Sequence, residues 1–422
     1  MIVGLADCNS FYASAEAIFD PKLRGVALCV LSNNDGAVVA MSKEAKALGI
    51  KMGTPWFKLK HWAKAHNVQA RSSNYELYGS ISRRVHDIVA GYAAHHEEYS
   101  IDESFFLVNE EKSDLAELGR EMRRTIYKNV GVPVSIGFAK TKTLAKLANH
   151  GAKRTDRLDG VCSWEDYSPE KQEQILRHYP TSETWGIASR LEKRLAARGI
   201  KTMLDLRNAD PDVIKKAFSV VEQRIVYELR GIPCIELEPV RKVRQSIVSS
   251  RMFGHTVDDP AEIEHVLSVY AQRATEKLRR EGSVAGHVSA FAASSPYGDD
   301  YTSAYGQAIF AMPTDDPVSI ARAVKDSIRD RLRHGVKYVR AGVMLNKLSP
   351  ARSHSFLPMF QPEFDNRGLG ELLDKVHKRH GDNALGLGLA GLQLGASFEM
   401  RREMLSPRAT THWGELATAY AR

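Results

Sequence analysis

Apolar and polar positions divide the chain into stretches of different period. Met1-Ile2-Val3-Gly4-Leu5-Ala6-Asp7 is apolar on both faces until a carboxylate ends it, which predicts a buried strand delivering Asp7 at its C-terminal end. Asn9 or Ser10 can then cap a helix that begins at Phe11-Tyr12. Apolar runs at 26–31 and 36–40 flank Ser32-Asn33-Asn34-Asp35-Gly36, whose Asp-Gly pair predicts a turn and hence a hairpin. A helix over 42–48 follows, and Pro55 opens another. Residues 97–108 alternate, 113–128 read as a charged helix, 132–139 as a strand and 141–153 as a helix, the order of an α/β sheet domain. Gly and Pro then break residues 166–235 into short helices, and 237–244 reads as a linker. Beyond it, helical stretches at 260–281 and 317–334 alternate with strand-like runs at 246–253, 286–293, 305–311 and 338–345, a second α/β sheet domain. From about 349 onward the chain is rich in Pro, Gly and Ser with little amphipathic period, which predicts a partly flexible tail.

Composition limits the function classes. At 422 residues, 43% of them hydrophobic, the chain is long enough for several domains with a core in each. No apolar run approaches the ~20 residues that a membrane span needs. The N-terminus lacks the basic region of a signal peptide, so a cytoplasmic chain is expected. Cys8, Cys29, Cys162 and Cys234 are far apart, which argues against a zinc site and a disulfide framework. The net charge of +8, from 59 Lys and Arg against 51 Asp and Glu, suits a nucleic-acid partner but equally many plain enzymes.

The anomaly is Tyr99-Ser100-Ile101-Asp102-Glu103-Ser104-Phe105-Phe106-Leu107. In a regular strand Glu103 would share the apolar face with Ile101 and Phe105, so either the strand turns or bulges at 102–103 or Glu103 faces solvent. Asp7, Asp102 and Glu103 are then three acids at strand ends with no His or Cys beside them, an oxygen set that suits Mg²⁺. Two such ions about 3.5–4 Å apart can activate a 3′-hydroxyl and hold a triphosphate for in-line attack. Unrelated surface acids would give the same spacing. Lys142, Lys146, His150 and Lys153 form a basic stripe on the helix over 141–153, either a solvated face or a phosphate contact. The glycine turn at Trp185-Gly186-Ile187-Ala188-Ser189-Arg190 joins two helices, as in an ordinary helical hairpin or one whose backbone N–H groups hold a DNA phosphate, and Thr202 with Asp205 reads as a capping pair. Phe11 and Tyr12 fit a core or a nucleotide sugar, and Lys43 and Lys46 fit water or a triphosphate.

Taken together, Asp7-Cys8-Asn9-Ser10-Phe11-Tyr12-Ala13-Ser14-Ala15-Glu16, Ser100-Ile101-Asp102-Glu103, Gly137-Phe138-Ala139-Lys140-Thr141-Lys142-Thr143-Leu144-Ala145-Lys146 and the glycine hairpin at 186 occur in the order of the Y-family DNA polymerases, which the chain resembles over nearly its whole length. Ser73-Asn74-Tyr75-Glu76-Leu77-Tyr78 and Leu405-Ser406-Pro407-Arg408 carry a closer match to a bacterial branch of that family.

The resemblance implies a multidomain α/β protein shaped as a right-handed polymerase. Its α/β palm would comprise 1–25 and 76–165, its small fingers 26–75, its helical thumb 166–236 and its α/β little finger 245–348, with a partner-binding tail over 349–422. Template-directed translesion synthesis without proofreading is the implied activity. Asp7, Asp102, Glu103 and the Cys8 carbonyl would hold two Mg²⁺. Tyr12 would be the steric gate against a ribose 2′-hydroxyl, with Phe11 beside it, and Lys153 would meet the triphosphate. Lys43 and Lys46 stand where many members carry Tyr and Arg, and Ala188 where a second glycine is usual.

Gly186, Ile187, Ala188, Arg190 and Arg251 would contact DNA, and Leu357, Met359 and Phe360 a sliding clamp, although the usual leading Gln of that peptide is replaced. Primer-template DNA, dNTP, a UmuD-type accessory subunit and a RecA filament are the implied partners, at the nucleoid, with no membrane. A nucleotidyl cyclase on a palm-like sheet and a non-catalytic DNA-binding scaffold are the alternatives.

Overall fold

A computed structural model describes residues 1–109, 114–238, 244–296, 300–353, 367–381, 384–388 and 400–416. They pack as two units, one of residues 1–32, 36–242 and the stretch from 404, the other of residues 33–35 and 243–403.

The first unit grows from β1 (Ile2–Cys8), whose apolar residues are buried on both faces because it lies mid-sheet. After α1 (Phe11–Phe19) come β2 (Leu28–Leu31) and β3 (Val38–Met41), the expected antiparallel hairpin. Next are α2 (Lys43–Ala47), capped by Ser42, and α3 (Trp56–Ala65). β4 (Gln69–Ser72) pairs parallel to β2 and completes a small three-stranded sheet.

The main sheet takes α4 (Tyr75–Tyr92), β5 (His95–Glu98), β6 (Glu103–Val108), α5 (Leu115–Val130), β7 (Val134–Ala139), α6 (Lys142–Arg154) and β8 (Val161–Ser163), with strand order β5-β6-β1-β7-β8. Helices α7 (Pro169–His178), α8 (Ser189–Ala196), α9 (Met203–Asn208), α10 (Pro211–Ala217) and α11 (Val220–Leu229) form the short-helix region, and Thr202 with Asp205 closes the expected capping box. Buried Glu228 ties this region to the sheet. It accepts from the N–H groups of Thr143, Cys234 and Ile235, the first being an orphan donor in the opening turn of α6.

The second unit holds β9 (Ser246–Val257), α12 (Pro260–Arg280), β10 (Ser283–Ser294), β11 (Ser303–Thr314), α13 (Pro317–Ile328) and β12 (Tyr338–Pro350). The antiparallel strand order is β11-β10-β12-β9, and the two helices cover one face around Tyr270, Val288, Ile320 and Val343.

Three departures from the expected elements have physical causes. The alternation over 97–108 is two strands, with the chain turning at 99–102 where the N–H groups of Tyr99 and Ser100 both donate to the Glu103 carbonyl. Helix α4 is a long element absent from the expectation, and strands β4 and β8 are too short to carry a period. The tail is not featureless. α14 (Arg367–His380) packs Leu373 into the second unit's core and pairs Asp374 with Arg279 at 2.7 Å, while Met404 onward returns to the first unit. Leu357, Met359 and Phe360, expected to meet a clamp, lie outside the described residues. No helix among the described residues is long and apolar enough to cross a membrane.

Candidate active site

Asp7 and Glu103 stand opposite each other on the antiparallel pair β1 and β6, so their side chains leave the same face of the sheet. Asp102 precedes Glu103 in the turn, and its carbonyl accepts from the Cys8 N–H at 2.9 Å, stapling the turn to the end of β1. Ser100 shapes that turn. Its hydroxyl donates to Asp102 Oδ1 at 2.6 Å and accepts from the N–H groups of Asp102 and Glu103. Behind it, buried His86 bonds the Ser100 carbonyl through Nε2 at 3.1 Å and the Ser104 hydroxyl through Nδ1. Asp7, Asp102 and Glu103 thus come together because one turn and one strand end are locked to each other.

Two lysines of α6 meet these acids. Lys153 Nζ lies 2.5 Å from Asp7 Oδ2, and Lys146 Nζ donates to both oxygens of Glu103 at 2.9 and 3.0 Å. Lys146 also sits 4.7 Å from the Tyr99 ring and 5.3 Å from that of Trp185, a cationic head caged by aromatic faces. Burial pushes the Asp7 carboxyl up to about 6, against the opposing pull of Lys153 and with a further push from Glu103 and Asp102. The Cys8 thiol is pushed up as well, by burial and then by the neighbouring acids, so it stays protonated.

The basic stripe does not act as one. Lys142 is buried, 2.6 Å from Glu97 Oε2 and 2.8 Å from the Glu236 carbonyl, and is unavailable to phosphate. A helical stripe cannot tell which of its cations turns inward. Lys146, Lys153 and His150 line one cleft with Asp7 and Glu103.

The three acids offer only carboxylate oxygens, a donor set that suits a hard divalent cation. In the geometry here those of Asp7 and Glu103 are held by lysines, and among the described residues no three His, Cys, Asp or Glu side chains are grouped closely enough to hold a metal ion.

Phe11 is a core residue, 4% exposed. Tyr12 is half-buried and stacks on Tyr78 of α4 with centroids 4.3 Å apart, while Tyr75 stands edge-on to it at 5.9 Å. Ser10, the N-cap of α1, has a left-handed backbone with φ of 48° and no side-chain cap. Its hydroxyl instead accepts from Lys46 Nζ at 3.2 Å, which brings one of the two α2 lysines to the loop beside Asp7; Lys43 is exposed one turn earlier.

Gly186 takes φ of +90°, whereas Ala188 is extended at φ −88° and caps α8, so a second glycine is not required there. Ile187 is buried and Arg190 exposed. Arg251 is exposed on β9 of the other unit, where Arg251, Arg244, Arg273 and Arg280 all add to the burial that holds the Lys277 ammonium below its usual range, a concentration of cations suited to phosphates.

Ser100 and His86 behind the acid turn, Lys146 as the partner of Glu103, and Tyr78 against Tyr12 are neighbours that sequence reasoning missed. The signal for Tyr78 was present in Leu77, Ile81, Val85 and Val89, an i, i+4 stripe after the capping Asn74.

Comparison with known proteins gives the chain's relatives. Residues 6–150 match the impB/mucB/samB family, residues 244–356 the C-terminal domain of that family, and residues 367–419 a domain of unknown function. Protein UmuC of Salmonella typhimurium is 40% identical over 98% of this chain and 98% of its own. DNA polymerase IV 1 of Bacillus subtilis is 29% identical over 65% of this chain and 66% of its own. Among solved structures, the Y-family DNA polymerase chimera Dbh-Dpo4-Dbh superposes with a TM-score of 0.63 at 22% identity, covering 82% of this chain and 99% of that one.

Proposed function

The chain belongs to the impB/mucB/samB family and has the Y-family polymerase fold, and on that footing we propose how its residues perform translesion DNA synthesis. It is a template-directed DNA polymerase of the damage-tolerance class, acting in SOS mutagenesis. The observation that carries the residue assignment is the register that sets Asp7 against Glu103, with Asp102 stapled beside them. Asp7, Asp102, Glu103 and the Cys8 carbonyl would hold two Mg²⁺, which when bound make the primer 3′-hydroxyl a better nucleophile and offset triphosphate charge. Lys153 and Lys146 keep the partly buried acids paired until then, and Lys153 would exchange Asp7 for a triphosphate oxygen. Lys46, and Lys43 beside it, would meet the same triphosphate from the fingers side.

Tyr12 would lie against the sugar. Residues 1–25 with 76–165 serve as palm, 26–75 as fingers, 166–236 as thumb and 245–348 as little finger. The turn at Gly186-Ile187-Ala188 with Arg190, and Arg251 with its neighbouring cations, would follow the DNA backbone. A fingers region built on one short three-stranded sheet presses weakly on the nascent pair, so lesions are tolerated and fidelity is low. The tail from 349, including Leu357, Met359 and Phe360, would engage the clamp, a UmuD-type subunit and a RecA filament at the nucleoid.

Primer extension past an abasic site with Mg²⁺, with and without those three partners, tests the reading. Extension that needs primer and template supports it. Product from nucleotide alone would mean a cyclase, and DNA binding without any product would mean a scaffold.

A further inference from the structure

The stretch from Met404 to Leu416 lies in the region that matches a domain of unknown function, and it is built into the first unit. Its start extends the small sheet: Leu405 bridges Ser72 in parallel, the Ser72 N–H donates to the Met404 carbonyl, and the Met404 N–H donates to the Ser72 hydroxyl, each at 3.0 Å. An otherwise open edge of β4 is thereby covered. Met404 packs against the fingers core and Ala409 is buried.

Ser406 is held more closely still. Asn74, the N-cap of α4, donates through Nδ2 to the Ser406 carbonyl at 3.1 Å, its hydroxyl at 3.0 Å and the Pro407 carbonyl at 3.3 Å. The Ser406 hydroxyl in turn donates to Glu16 Oε1 at 3.0 Å. That oxygen also accepts from the Tyr78 hydroxyl at 2.6 Å. Glu16 is 2% exposed and Tyr78 fully buried, so the bond between them is shielded from water, and half-buried Ser406 reaches the same carboxylate from the other side. Glu16 lies one turn after Tyr12 on α1, and Tyr12 stacks on Tyr78 with the rings 16° from parallel. A continuous path therefore runs from Ser406 through Glu16 and Tyr78 to the ring of Tyr12. Along it the tail fastens both helices that supply the tyrosines, α1 through Glu16 and α4 through Asn74.

We propose that residues 404–416 are a brace for the nucleotide site, and that Ser406, Glu16 and Tyr78 are positioning residues that fix the Tyr12 ring and so set discrimination against ribonucleotides. This rests on the reading of Tyr12 as the residue against the sugar. A steric gate works only if the ring cannot swing aside, because a 2′-hydroxyl that displaces it by a fraction of an ångström removes the clash. Stacking alone leaves the ring free to slide with its partner. Pinning the far end of Tyr78 removes that freedom, and the pin is complete only when the chain's C-terminal part has docked.

The test is kcat/KM for a deoxynucleotide and for the matching ribonucleotide, measured on the full-length chain with its accessory partners. Wild type is compared with Tyr12→Ala, Tyr78→Phe, Ser406→Ala and Ser406→Thr. Tyr12→Ala is expected to collapse the deoxy-to-ribo ratio. Tyr78→Phe and Ser406→Ala should each lower it about three- to tenfold, the equivalent of one hydrogen bond, with deoxynucleotide insertion within about threefold of wild type, and Ser406→Thr should restore it. A ratio that stays at the wild-type value in Tyr78→Phe and Ser406→Ala while Tyr12→Ala collapses it overturns the brace alone. An equal loss for both sugars, with a lowered melting temperature, also overturns it, since that is a folding role. An unchanged ratio in Tyr12→Ala instead removes the sugar-contact reading, and the brace with it.

Discussion

Lys153 and Asp7 show how much of a site one pair of charges decides. The acid is buried beside two others, which raises its pKa to about 6, and the lysine at 2.5 Å is what keeps it ionised. Lys146 donates to both oxygens of Glu103 from the same helix. If Lys153 changes partner from Asp7 to the triphosphate during nucleotide binding, Lys153→Ala should raise KM for dNTP about ten- to hundredfold, the range of a charged hydrogen bond, with a smaller effect on DNA affinity. Steady-state insertion kinetics check this, and an unchanged KM would leave Lys153 as a structural counter-ion.

Asp7 was legible in the sequence because it ends an apolar run, and Asp102 with Glu103 because an acid pair interrupts the alternation over 97–108. Their lysine partners were not, because i, i+4 spacing places Lys142 and Lys146 on one stripe while packing buries the first against Glu97. His86 left no signal either, being, like Ser82, a polar residue on the buried face of α4. Burial holds its pKa below the usual value, more strongly than nearby Glu98 and Asp87 and its bond to Ser100 raise it. A group whose folded pKa is depressed contributes stability that is present above its unfolded pKa and is lost as pH falls through the folded one. Melting temperature should therefore drop as pH is lowered from about 7.5 through the unfolded histidine value of ~6.5, and His86→Gln should flatten part of that slope. His96, depressed by burial and then by His86, supplies more of the same sign.

Helix α6 owes its place to Gly137. A Cβ there would meet the Asn149 backbone nitrogen at 2.3 Å and the Ala145 carbonyl at 2.4 Å, so strand and helix touch backbone to backbone. Asn149 fastens the same contact with bonds to the Leu5 and Ser135 carbonyls. Gly137→Ala should force α6 away from β7, destabilise the fold by about 1–3 kcal/mol or more, and shift Lys146 and Lys153 from their acids. Chemical denaturation with insertion assays on the surviving folded fraction would show it, and a variant as stable and active as wild type would refute the close approach.

Helices such as α6 and α12 were readable in advance because a buried face imposes a period on them, and β1 because its apolar run is unbroken up to Asp7. Helix α4 was readable in principle, through the stripe at Leu77, Ile81, Val85 and Val89, but its capping Asn74 sits directly after a four-residue strand that has no signal of its own. In the tail, Leu369, Leu373 and His377 repeat at i, i+4, i+8 among many Gly and Pro, a stripe that composition obscured.

Two of the three sheets among the described residues differ in character. One ends in acids and is closed over by helices carrying lysines, and the other carries a basic cluster around Lys277. Resemblance to a polymerase made the order of these parts legible from the sequence, while the return of the C-terminal stretch to the first unit was not, since contacts across more than 300 residues leave no local period. The account as a whole depends on the acids doing chemistry rather than holding the sheet. Single-nucleotide insertion into a primed template with Mg²⁺ and the accessory partners, by wild type and by Asp102→Ala, tests that most directly, with primer-template affinity measured on the same preparations. Insertion should fall at least about a thousandfold in the variant, the scale of losing a group that stabilises transition-state charge, while DNA affinity stays within about threefold. Insertion at the wild-type rate by Asp102→Ala would contradict the account.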